Sequence, residues 1–211
     1  MSEPLIGKGI KWTGQGCSKR ANCDIYYSCH AERREFGCGL VVTRRLRHHV
    51  SNFTPVSERL DTIRVKTRLF NFARTLRRRR RTMLLRIHIQ TLPDHDVELI
   101  LGDFNAKVGR KRIFDPTVGR FSLHETTSNN GLRLIDFAAA RNMVVSSTRF
   151  RHFDIHKATW LSPDQKTRNQ TDHVVIDGRH ASSVMDVRTF RGVNIDSDHY
   201  LVAAKIRMRP S

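Results

Sequence analysis

Leu99-Ile-Leu-Gly-Asp-Phe-Asn105 is an apolar strand that runs straight into a carboxylate and an amide. A second string, Asp196-Ser-Asp-His-Tyr200, sets a carboxylate beside an imidazole just ahead of another strand-like run, Tyr200–Ile206. Acids at the ends of buried strands cost free energy unless something pairs with them. Divalent metal and phosphate are the usual partners, so the two strings together point to phosphodiester chemistry.

Outward from Val97–Leu101, the chain reads as strands with few helices. Cys23–Cys29 alternates well enough for a strand, with Gly37–Val42 as its hairpin partner. Thr62–Thr67, Met143–Ser147, Thr159–Trp160, Asp172–Ile176 and Met185–Thr189 read as further strands. Asn105–Phe121 is a Gly-rich loop with turn signals at Gly109 and Asp115-Pro116. Asn130-Gly131 introduces a helix over Leu132–Arg141, with Leu134, Ile135, Phe137 and Ala138 as its apolar face. The first ten residues offer no apolar strand. With no internal repeat and no linker, the 211 residues predict one α+β domain.

The charge balance is extreme: 38 Lys and Arg against 20 Asp and Glu give a formal net charge of +18. Such an excess favours polyanions, because each neutralised phosphate releases counterions. The charge is also uneven. Between Thr62 and Pro93 there is no acid, while Arg64, Lys66, Arg68, Arg74, Arg77, Arg78, Arg79, Arg80, Arg81 and Arg86 all carry charge. The block over 72–90 fits neither an amphipathic helix nor a half-buried strand. It reads as an irregular insert, a frame-shifted stretch, or a nuclear-localisation or nucleic-acid arm.

Cys17, Cys23, Cys29 and Cys38 form no Cys-x-x-Cys pair, which argues for idle thiols in a reducing compartment over a zinc site. No signal peptide opens the chain and no apolar run approaches spanning length, so an intracellular, nuclear protein with no membrane partner is expected.

Gly102-Asp-Phe-Asn105, Arg168-Asn-Gln-Thr-Asp-His173 and Ser197-Asp-His199 occur in the order found in the endonuclease/exonuclease/phosphatase superfamily. The chain resembles, more closely, the apurinic-type endonuclease domain of RTE/BovB-like non-LTR retrotransposons, over Trp12–Phe70 and Val97–Arg207. The resemblance implies a four-layer αββα sandwich, a magnesium site (manganese as a substitute) and strand nicking of DNA. By that resemblance Asp103 orients or deprotonates the attacking water, and Asn105 hydrogen-bonds the phosphate or that water. Asp198 lies next to the metal, His199 contacts the scissile phosphate, and Asp172 fixes its tautomer. Trp160 and Arg168 would lie near the nucleic acid, which is DNA first and RNA as an alternative. Taken singly, Asp103 is equally a turn residue, Asp172-His173 a surface pair, His199 a packed histidine and Trp160 a core residue.

Three departures from the family bear on activity. Its opening strand, which bears an asparagine, is missing, and Gly9 stands where a metal-binding glutamate is expected. The third is the Arg block, from Phe72 onward, in place of an aliphatic strand and an Ala-Pro turn. Weak or absent magnesium binding is therefore expected, and the competing reading is a non-catalytic basic nucleic-acid binder.

Overall fold

The computed structural model describes residues 2–10, 12–34, 37–57, 60–66, 72–77, 97–190 and 199–207. One sheet contains β1 (Ser2–Ile10), β2 (Gln15–Lys19), β3 (Cys23–Ser28), β4 (Gly37–Thr43), β13 (Val184–Phe190) and β14 (Leu201–Arg207). Its order is β13-β14-β1-β4-β3-β2, and every neighbouring pair is antiparallel. The second contains β5 (Val50–Ser57), β6 (Leu60–Val65), β7 (Phe72–Arg77), β8 (Val97–Asp103), β9 (Met143–Val145) and β12 (Asp172–Asp177). Its order is β5-β6-β7-β8-β12-β9, with one parallel pair, β7 on β8. β10 (Trp160–Leu161) and β11 (Arg168–Asn169) form a separate two-stranded ribbon.

Side chains on a strand alternate between faces, and both faces of β8 are covered. Leu99 and Leu101 point between the sheets, joining Val174 and Ile176 of β12, Leu40 and Val42 of β4, and Val202, Ala204 and Ile206 of β14. Ile100 and Val175 point the other way, against Leu134, Ile135, Phe137 and Ala138 of α1 (Asn129–Ala139). Burial on both sides explains why β8 is continuously apolar over Leu99–Leu101. A single-turn helix, α2 (Asp154–Lys157), lies against β13, where Thr189 Oγ1 donates to the Ile155 carbonyl at 3.3 Å. This is the strand-rich sandwich with outer helices that the sequence implies. No helix among the described residues is long and apolar enough to cross a membrane.

α1 starts three residues ahead of its expected boundary. Ser128 caps it by accepting the Gly131 N–H, a stronger start signal than the Asn-Gly turn. A Cβ on Gly131 would stand 2.0 Å from the Lys107 carbonyl oxygen. Glycine therefore lets the helix close on the loop that leaves β8.

β2, β5 and β11 form where the sequence reading places no strand, and two more strands form where it argues against one. Ser2–Ile10 is β1, which pairs with β14 over Ser2–Gly7 and with β4 over Ile6–Ile10. Pro4, which has no N–H to donate, falls where only β14 is a neighbour. Phe72–Arg77, expected to be irregular, is β7, laddered to β6 on one side and β8 on the other. In both cases the hydrogen-bonding neighbours override weak local propensity. The remainder of the Arg block, from Arg78, lies outside the described residues, as does the question of how it continues.

A buried polar network fixes the ends of β8 and β12. His173 is expected, on its own, to be half of a surface pair; it is instead fully buried, on the α1 side of β12. Its Nε2 lies 2.8 Å from the Ala106 carbonyl and its Nδ1 2.8 Å from Ser147 Oγ. A neutral ring with its proton on Nε2 satisfies both partners, and burial pushes its pKa down. Nearby, Gln170 Oε1 accepts the Leu123 N–H at 2.9 Å and its Nε2 donates to the Ser147 carbonyl at 3.2 Å. The Gln170 N–H donates to His124 Nε2 at 3.0 Å, and burial lowers the His124 pKa to about 4.

The unfolded chain therefore binds protons at His124 and His173 that the folded chain refuses. Stability is complete above the ordinary value of 6.5 and falls as pH drops from there towards about 4, where folded His124 takes up its proton. Thermal melting across this window should show that fall, and His124→Gln should flatten it. With β7 in place, heating should also produce one cooperative transition. Leu99→Ala, which empties a fully buried site, should cost about 2–5 kcal/mol. A broad, non-cooperative melt would contradict this architecture.

Candidate active site

β12 runs antiparallel to β8 with Asp172 directly opposite Asp103. The same period that puts Leu99, Leu101, Val174 and Ile176 between the sheets carries these two carboxylates to the mouth of that interface. From the facing sheet, His199 precedes β14. Its backbone bridges to Trp160, and the Tyr200 N–H donates to the Thr159 carbonyl at 2.8 Å. The imidazole thus enters between the acids. His199 Nδ1 is 3.0 Å from Asp172 Oδ2, and Nε2 is 4.0 Å from Asp103 Oδ2. All three side chains keep a narrow solvent opening, at 18% exposure for His199, 14% for Asp103 and 13% for Asp172.

The loop after β8 is tied to the same carboxylate. Asp103 Oδ1 accepts the Asn105 N–H at 2.8 Å, and Asn105 takes a left-handed φ of 48°, which Asn tolerates better than most residues. Asn130, in the first turn of α1, donates from Nδ2 to the Asn105 carbonyl at 3.0 Å.

Beneath the site lies Thr159, only 2% exposed. Its Oγ1 accepts the N–H groups of Thr171 at 2.9 Å and Asp172 at 3.0 Å. The Thr171 hydroxyl in turn reaches Asp172 Oδ2 at 3.3 Å. One threonine thereby sets the backbone of Asp172 through its side chain and that of the residue after His199 through its carbonyl. Sequence reading passes over this role. Thr159 shows there only as the start of a short strand, because its partners are distant in the chain.

Of the residues singled out from sequence, Asp103, Asp172 and His199 converge, and Asn105 is exposed in the loop that follows Asp103. Trp160 is half-buried beside His199, while Arg168 is exposed on β11. The backbone of Arg77 pairs with Gly102, the residue before Asp103. Asp198 and Arg78 to Arg81 lie outside the described residues. Gly9 pairs with Cys38 and supplies no carboxylate.

Asp103, Asp172 and His199 each offer a ligand atom, all within 4.8 Å of one another, the one such cluster among the described residues. A hard cation such as magnesium takes one or two carboxylates and completes its shell with water and substrate phosphate. Two carboxylates at a strand mouth fit that requirement. The imidazole, bonded to Asp172, competes with a cation for the same oxygens.

No family model matches the chain. It is 32% identical over 211 residues to craniofacial development protein 2 of Tragulus javanicus and to that of Bos taurus, covering 95% of this chain. It spans about a third of the length of these curated relatives, 36% and 35% respectively. Among solved structures it is similar to the endonuclease domain of TRAS1, a telomere-specific non-LTR retrotransposon. That match has a TM-score of 0.58 and 13% identity, over 88% of this chain and 78% of that one. The AP endonuclease LMAP from Leishmania major matches with a TM-score of 0.56 and 13% identity, over 87% and 70%. An AP endonuclease from Archaeoglobus fulgidus matches with 0.54 and 12%, over 88% and 79%. The chain thus has the fold of these endonucleases and is similar in sequence to part of craniofacial development protein 2.

Proposed function

We propose that the chain is a divalent-metal-dependent phosphodiesterase that nicks DNA, descended from a non-LTR retrotransposon endonuclease and working in the nucleus. The observation that carries this reading is the convergence of Asp103, His199 and Asp172 at one mouth of the sandwich. Fold likeness to nucleases and the basic composition support it.

In this reading Asp172 accepts the Nδ1 proton of His199 and so turns Nε2 towards the opening beside Asp103. Nε2 then meets the scissile phosphate, donating to it when protonated. Asp103, with Oδ1 held by the Asn105 N–H, presents Oδ2 to the attacking water. Arg168, exposed on β11, and the basic tract Arg77 to Arg81 are assigned to hold the backbone of the strand, on their charge. A bound cation, carried by Asp103 and Asp172 with Asp198 as the resemblance implies, would spread charge from the phosphoryl oxygens.

Gly9 favours a second reading. With no carboxylate at that position, cation affinity is low, and the chain acts as a nucleic-acid binder with little turnover. Nicking of supercoiled plasmid with magnesium, then manganese, separates the two. The catalytic reading expects slow nicking that falls about 10²–10⁴-fold in Asp103→Ala/His199→Ala and rises in Gly9→Glu. Equal nicking by wild type and the double variant would overturn it, and no nicking by either would leave the binder.

A further inference from the structure

The end of the sandwich opposite the site carries its own concentration of cations. Val65, Phe72 and Val97 lie level through the registers of β6, β7 and β8, at the far end of β8 from Asp103. Seven residues of strand put that end roughly 20 Å from the site. Two connections meet there. The turn between β2 and β3 brings Lys19 and Arg20, and the segment from Thr43 to Val50 brings Arg44, Arg45, Arg47 and His48. Lys66 follows β6 at the same level.

These pieces form one built surface. The Arg44 N–H donates to the Asn22 carbonyl at 2.9 Å, the Lys66 N–H to the His49 carbonyl at 2.8 Å, and Arg47 Nη2 to the Arg20 carbonyl at 2.8 Å. Arg47 also pairs with Asp24, 3.3 Å away and only 5% exposed. Asp24 is therefore spent inside the fold and does not offset the outer cations. Lys19, Arg20, Arg44, Arg45, His48 and Lys66 are exposed. None of the exposed large hydrophobic residues belongs to these connections, so the surface suits a charged partner rather than an apolar one. Arginine predominates, and its planar fork matches phosphate oxygens.

We propose that this pole is a second nucleic-acid contact, gripping the phosphate backbone of a duplex segment distinct from the one at the Asp103 end. Neither pole shares a residue with the other, so one chain can hold two segments at once.

The test uses the full chain in chelator, with binding of a short random-sequence duplex followed by anisotropy across about 50–200 mM salt. Arg20→Gln/Arg44→Gln/Lys66→Gln removes exposed charges and leaves the Arg47–Asp24 pair intact, so its melting temperature should match wild type. The slope of log affinity against log salt should fall by about 0.9 for each removed cation that meets a phosphate. Two differently labelled duplexes should transfer energy on wild type and lose that transfer on the variant. An unchanged slope would overturn the proposal. If affinity for polyglutamate drops while the DNA slope holds, the pole takes an acidic polypeptide, which also overturns it. Chelator confines the readout to binding, so the outcome is independent of whether the other end cleaves.

Discussion

The antiparallel register that sets Asp172 against Asp103 is the constraint on which the site depends. Shifting β12 by one residue would send both its apolar rows to the wrong faces and replace Asp172 with Thr171 or His173. The core forbids that slip. Val174 and Ile176 face the other sheet, while Val175 and His173 face α1. Packing thus fixes the chemistry at the strand ends, although no packed side chain takes part in it.

Two carboxylates at adjacent strand ends repel one another and lose hydration, and the fold offsets this cost locally. Asp172 gains His199 and the Thr171 hydroxyl, and Asp103 gains the Asn105 N–H. Charge-assisted bonds of this kind are the stronger ones in a partly dry setting. Thr159 lies under both strands of the arrangement, and the neutral His173 anchors the loop that brings Asn105 round. The acids are therefore held by dipoles and by one imidazole, an arrangement that suits a passing phosphate as well as a bound cation.

Much of this was legible in the residues. β8, β12, the β3–β4 hairpin and α1 each follow a clear hydrophobic period, and Asp103, Asp172 and His199 stand in a recognisable order. What was not legible depends on neighbours far along the chain. β1 holds one proline, two glycines and three polar residues against only Leu5, Ile6 and Ile10, and pairing with β4 and β14 makes it a strand. β7 ends in arginines, yet β6 and β8 flank it. His173 reads like a surface residue beside Asp172, because alternation across a strand cannot say whether the second face is wet or covered. In this fold α1 and the loop after β8 cover it.

The tautomer of His199 tests the central claim most directly, through its imidazole nitrogen chemical shifts at a pH where the ring is neutral. If Asp172 organises the site, the proton resides on Nδ1 and Nε2 is bare, and Asp172→Ala shifts the balance towards Nε2–H. An Nε2–H ring in the wild-type chain, unmoved by Asp172→Ala, would contradict the account.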